Sequence, residues 1–144
     1  MLTNSQRQSN RAKLQALSSE NTATLGKVFW RLVDEYDLSN KQVATILDVT
    51  TAQVSNLSRT RKIPQKAEAY ARVGQLLGIK KCLEVQYPVN PKVKSNWLKV
   101  KREAFQGASA IDFITEDMFQ TGVRLFQVRR LMDLWRVGSI PELI

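Results

Sequence analysis

Between residues 38 and 60, the run LSNKQVATILDVTTAQVSNLSRT sets hydrogen-bonding side chains at helical spacing. Thr51, Gln53, Ser55, Asn56 and Arg59, with the small Ala52 among them, fall outside the positions that packing claims. Asn and Gln pair bidentately with adenine in a major groove, each such contact giving about 1–3 kcal/mol of discrimination. Thr50, Thr51, Ala52, Gln53 and Asn56 are therefore candidates for reading bases. Asn40, Lys41, Arg59, Arg61 and Lys62 are candidates for phosphate contacts. The chemistry is recognition of double-stranded DNA rather than bond making.

Two short helices and a tight turn must position that row. Val43, Ile46 and Leu47 give the first helix an apolar face, and Ala44 is small where the helices approach. Asp48 falls at the turn, where Asp tolerates left-handed backbone better than most residues. Val49 plugs the core, Thr50 is a good N-cap, and Val54 and Leu57 face back inward. A helical hairpin that touches no nucleic acid needs the amphipathicity but not the turn and cap residues at these offsets.

This block resembles the Xre/Cro-type repressor helix-turn-helix, through Leu38, Ser39, Val43, Ala44, Leu47, Val49, Thr50, Val54, Ser55 and Leu57. Two positions differ from that pattern: Asp48 replaces the usual turn glycine, and Asn40 the usual glutamine.

Composition narrows the remaining classes. The chain has 144 residues, 22 Lys and Arg against 13 Asp and Glu, a formal net charge of +9 and a pI near 10.0. The basic surplus is spread along the chain, which favours solubility as well as polyanion binding. There is no histidine, so the commonest general base and metal ligand are missing. One cysteine, Cys82, excludes an internal disulfide and a cysteine-based zinc site, and reads as a buried thiol in a reducing compartment. Asp34/Glu35 and Glu116/Asp117 are neighbours in sequence, so on a helix each pair diverges by roughly 100° and makes a poor acid–base dyad. No glycine-rich phosphate loop is present. These features argue against an enzyme and call for no cofactor and no metal. No apolar run approaches the ~18–20 residues that span a bilayer. The N-terminus lacks a hydrophobic signal core, so a cytoplasmic protein without a membrane partner is expected.

Helical signals organise the rest into an all-α architecture: an N-terminal helix-turn-helix domain, then a small C-terminal helical domain. Residues 1–20 read as a flexible arm, a mobile leader or a segment that tracks a DNA backbone. Residues 21–79 form the DNA-binding domain. Its first helix starts at Asn21 or Thr22 and runs to about Tyr36, with Trp30 off the apolar stripe and suited to an interface. Its last helix ends at Gly78. Residues 80–89 are a connector, a short helix or an extended piece. Residues 90–144 are the second domain. There Asn90-Pro91 starts a helix that runs to about Phe105 and stops at Gly107. Ser109 caps a short helix. Thr115 caps a last long one to about Val137, with apolar faces that include Met118, Phe119, Val123, Phe126, Leu131, Leu134 and Trp135. Gly138 terminates it.

The order Trp97-Leu98, Gly107, Ser109, Ile111-Asp112-Phe113-Ile114, Gly122, Phe126, Arg130-Leu131 and Gly138 is similar to the toxin-binding domain of the MbcA/ParS/Xre antitoxin family. Ala110 stands where that pattern has proline. The resemblance implies two partners for a homodimer: operator DNA and a RES-type or ADP-ribosyltransferase-like toxin that consumes NAD. It further implies that the C-terminal end blocks the toxin's nucleotide site. Here that end comprises Trp135, Arg136, Gly138, Ile140, Pro141, Glu142, Leu143 and Ile144. The tail SIPELI either plugs the toxin or folds onto its own helix. A DNA-binding regulator whose C-terminal domain serves dimerisation or another signal, with no toxin, is the alternative.

Overall fold

Helices end where cap chemistry ends them. The computed structural model describes residues 3–140, with side chains except those of 12–20. They form α1 (Asn4–Tyr36), α2 (Asn40–Leu47), α3 (Thr51–Thr60), α4 (Ala67–Gln86), α5 (Pro91–Trp97), a 3-10 turn (Glu103–Phe105), α6 (Ala110–Thr115) and α7 (Thr121–Arg136). Among the described residues the only β pairing is an isolated bridge between Lys101 and Ser109. The protein is all-helical, and no described helix is long and apolar enough to cross a membrane.

Three helices open with the same reciprocal cap. Thr3 and Gln6, Ser39 and Gln42, and Thr50 and Gln53 each exchange side-chain and backbone hydrogen bonds at the head of α1, α2 and α3. Each pair satisfies two otherwise orphaned N–H groups. The same three helices close on a left-handed residue that is not glycine: Asp37, Asp48 and Arg61, with φ of 50°, 55° and 54°. In each, the next residue's N–H reaches back to a carbonyl five positions earlier, as from Val49 to Ala44 at 3.0 Å. That is the Schellman arrangement.

One apolar core runs through the molecule. It joins Phe29 and Leu32 of α1, Ile46 and Leu47 of α2, and Val54 of α3. It continues through Leu76, Ile79 and Leu83 of α4 to Trp97, Leu98, Phe105, Ile111, Leu125, Val128 and Met132. No break in this core separates residues 21–79 from the segment that follows. α4 is the shared wall, packing most extensively on α7 and also against α1 and α2.

Five sequence expectations change. α1 begins at Asn4, not Asn21, because the Thr3–Gln6 box starts it; the expected flexible arm is helical from there. α4 does not end at Gly78 but continues to Gln86 through the expected connector. Glycine at 78 lies inside α4, and the Arg129 guanidinium of α7 occupies the space beside it where a Cβ would sit. The helix from Pro91 stops at Trp97, and the chain reaches Gly107 (φ 83°) through the 3-10 turn. α7 starts at Thr121, Thr115 lying inside α6. Trp30 faces inward at 2% exposure, edge-on to Phe29, and its Nε1 donates to the Lys62 carbonyl at 2.8 Å.

Candidate functional site

α3 is held by a few buried contacts so that its other side stays free. Val54 is buried and Leu57 half-buried, whereas Thr50, Thr51, Ala52, Gln53, Ser55, Asn56 and Arg59 are exposed. The five base-reading candidates thus lie together on or just before one helix. Beside them runs an open groove of about 440 Å³ lined by Val49, Ala52, Gln53, Asn56, Leu57, Pro64 and Lys66.

The polar atoms on this face are partly engaged. Gln53 Oε1 accepts the Thr50 N–H at 2.8 Å, which leaves its amide N–H groups as donors. Asn56 Oδ1 accepts from Arg59 Nη2 at 2.7 Å. Each oxygen keeps a second lone pair, so bidentate pairing with adenine needs only that the local bond hold the amide plane in a compatible orientation. The amide N–H groups and the Arg59 guanidinium add donors, which match the guanine O6 and N7 acceptors or phosphate oxygens.

The phosphate candidates divide. Asn40 is exposed at the first position of α2, where backbone N–H groups favour anions. Arg59 is exposed beside Asn56. Arg61 holds the left-handed turn after α3, and its guanidinium is bound to Asp34 at 2.9 Å. Lys62 is exposed, with its carbonyl committed to Trp30. Lys41 lines a polar cleft of about 300 Å³ with Asp112 of α6 and Glu116 just after it, acids that compete with a phosphate for it.

Two residues that position this face have no obvious sequence signal. A Cβ at Gly26 would lie 2.7 Å from the Arg61 carbonyl, so glycine lets α1 cross the turn behind α3. Arg72 of α4 is buried. Its Nη1 donates to the Thr45 and Ile46 carbonyls at 3.2 and 3.3 Å, capping the end of α2, and its Nη2 meets Glu68 Oε1 at 2.6 Å. Only the Glu68–Arg72 spacing of four hints at it.

The expected toxin-binding end is less available than the sequence suggests. Trp135 is half-buried, stacked on Trp97 at 6.3 Å and near Tyr87 at 6.1 Å. It belongs to an internal aromatic cluster rather than to a free surface. Arg136 is exposed and stands 4.0 Å from Asp133. Gly138, at φ 77°, closes α7 as expected, with Ser139 N–H reaching Leu134 O at 2.9 Å. Ile140 packs half-buried against the core. Pro141, Glu142, Leu143 and Ile144 lie outside the described residues.

An apolar surface appears instead on the outer face of α7. Thr121, Leu125, Val128 and Met132 are the side that packs. Val123, Phe126 and Val137, expected or not among the apolar faces, point outward, with Met118 and Phe119 just before the helix. Phe119 is 85% and Phe126 54% exposed. Phe126 and Val137 also line an open hollow of about 390 Å³ with Gln75, Arg129, Arg130 and Asp133. Exposed aromatic and aliphatic side chains interleaved with charged ones are in keeping with a protein-docking face.

Two groups have shifted acidity. Burial, a hydrogen bond to Asp133 and the charge of that carboxylate push the Cys82 thiol up, so it stays protonated. Burial first, then Glu84 and Glu35, pushes the Tyr36 hydroxyl up.

No protein-family model and no curated protein sequence matches the chain.

Proposed function

We propose that this protein is a DNA-binding antitoxin: it represses its own operator through α3 as a homodimer and neutralises a RES-type or ADP-ribosyltransferase-like, NAD-consuming toxin by direct binding. The observation that carries the DNA half is α3 itself. Its buried side is reduced to Val54 and Leu57, its exposed side is a polar row with Arg59, and a tight capped turn fixes it to α2. A single short helix gives too few base contacts for strong specificity, so a twofold site with half-sites about one helical turn apart is expected. The toxin half rests on the resemblance of residues 90–138 and on the apolar face of α7, which suits a protein partner.

Selection of bound duplexes from a random pool tests the first half. Wild type should enrich a twofold site, and a Gln53→Ala/Asn56→Ala variant should lose that preference. An unchanged preference refutes the base-reading assignment. The second half is tested by NAD loss in the presence of the co-encoded protein, with and without this chain; no protection refutes it. The same α7 face also fits dimerisation, so a transcriptional regulator without a toxin partner is the second reading. A dimer that loses its interface on mutation of Phe119 and Phe126, with no toxin bound by wild type, favours it.

A further inference from the structure

Residues 3–11, at the N-terminal end of α1, are exposed throughout. The last turn of the helix lies against the C-terminal half: Glu35 and Tyr36 share a cleft with Pro91 and Lys92, and Asp37 meets Lys99 at 3.6 Å. Farther toward the N-terminus, Gly26, Trp30 and Asp34 pack on Arg61 and Lys62, the residues that follow α3. Continuing in the same direction, α1 extends past the end of α3 and away from α5. Arg11 lies about 22 Å and Arg7 about 28 Å along the axis from Gly26, at 1.5 Å per residue. At roughly 100° per residue, their azimuths fall within about 60° and 100° of the Gly26 face that touches the α3 turn.

The chemistry of this projecting end is one-sided. Residues 3–11, TNSQRQSNR, are all exposed, and every one has a side chain that donates hydrogen bonds. None is a carboxylate and none is aliphatic. Such a surface has nothing to bury against another protein. Arg, Ser, Thr, Asn and Gln are the side chains that contact nucleic-acid phosphates and sugars.

We propose that the N-terminal end of α1 is a second DNA-binding element, in which Arg7 and Arg11 contact backbone phosphates flanking the groove that α3 enters. This rests on the DNA-binding part of the function proposed above. The contacts fall outside the segment that the recognition helix reads, since Arg7 and Arg11 stand more than about 20 Å along α1 from the crossing at Gly26. They carry no sequence information, and they lengthen the footprint and steepen the salt dependence.

The test compares wild type with Arg7→Gln/Arg11→Gln on a mixed-sequence duplex of about 40 base pairs, by fluorescence anisotropy over a range of KCl concentrations. Losing two phosphate contacts should lower the slope of log K against log salt by about 2 per bound protomer and weaken binding about tenfold or more near 0.1 M salt. A Lys92→Gln/Lys101→Gln control removes the same charge at exposed sites at or beyond α5, and should leave the slope near wild type. An equal slope for wild type and the Arg7/Arg11 variant overturns the inference while the helix-turn-helix reading stands. An equal fall in the control overturns it too, since net charge alone would then explain the effect. Conversion of a dimer to a monomer by the arginine changes reassigns the helix to a protein interface and also overturns it. Wild type that binds no duplex at all overturns both readings.

Discussion

The crossing of α1 over the turn behind α3 gives a prediction whose sign is set by two opposing effects. Replacing a helical glycine by alanine ordinarily stabilises by about 0.5–1 kcal/mol, because alanine gives up less backbone entropy on folding. At Gly26 the new methyl meets the Arg61 carbonyl at 2.7 Å and the Lys62 Cα at 3.4 Å, both backbone atoms. Ordinary contact to the carbonyl needs about 0.7 Å more, so α1 and the turn must separate by that order. The same movement strains the 2.8 Å bond from Trp30 Nε1 to Lys62 O toward the limit of hydrogen bonding. Overpacking costs typically 1–3 kcal/mol, and a weakened buried hydrogen bond about 1 kcal/mol more. The net for Gly26→Ala is a loss of about 1–3 kcal/mol, or a melting temperature lower by roughly 3–10 °C at this size. Gly74 is the internal comparison: it is exposed inside α4, and its Cβ would meet nothing within 4 Å. Gly74→Ala should raise stability by about 0.5–1 kcal/mol. Urea denaturation followed by circular dichroism measures both. Gly26→Ala as stable as wild type, or Gly74→Ala losing as much as Gly26→Ala, refutes the close-crossing account.

Asp48→Gly should stabilise by about 0.5–1 kcal/mol, since glycine takes the left-handed turn at φ 55° with less strain; a lowered urea midpoint would contradict this. Tyr36 stays neutral in the folded protein while an unfolded tyrosine ionises near pH 10, so its contribution is complete below pH 10 and is lost as pH rises above it. Tyr36→Phe should flatten the fall in stability between about pH 9 and 11; an unchanged pH dependence rejects the assignment. Phe119→Ser/Phe126→Ser should leave melting within about 2 °C of wild type while abolishing partner binding or self-association measured by native mass. Retained assembly would remove α7's outer face from the interface.

The α2–α3 hairpin was legible because its information is local. Asp48, Thr50, Val54 and Leu57 carry a turn, a cap and a face within two turns of helix, and the structure puts each in that role. What failed depends on what lies across a contact. Gly78 reads as a helix stop until Arg129 of α7 is seen to fill its place. Trp30 falls beside the apolar stripe, yet the carbonyl of Lys62 gives its indole N–H a buried partner. On α7, apolar residues occupy several sides of the helix, so spacing alone does not choose between Leu125, which packs, and Phe126, which does not. The start of α1 was hidden for another reason. Thr3 and Gln6 spell the capping signature, but the polar run behind them has no hydrophobic period to mark a helix.

All three capping boxes use glutamine where glutamate is equally able to close the ring. Glutamate would place a negative charge at the head of each helix, and in the proposed DNA complex a carboxylate beside Thr50 would repel the phosphates near α3. The amide keeps the geometry and adds no charge; the first turns of α1, α2 and α3 contain no acid. An amide also does not titrate, and the chain has no histidine. The electropositive ends of these helices are therefore constant across physiological pH, so acidification of the medium does not act as a signal through them. In the proposed DNA complex, release would then come from contact with a partner or from salt rather than from protonation of these caps.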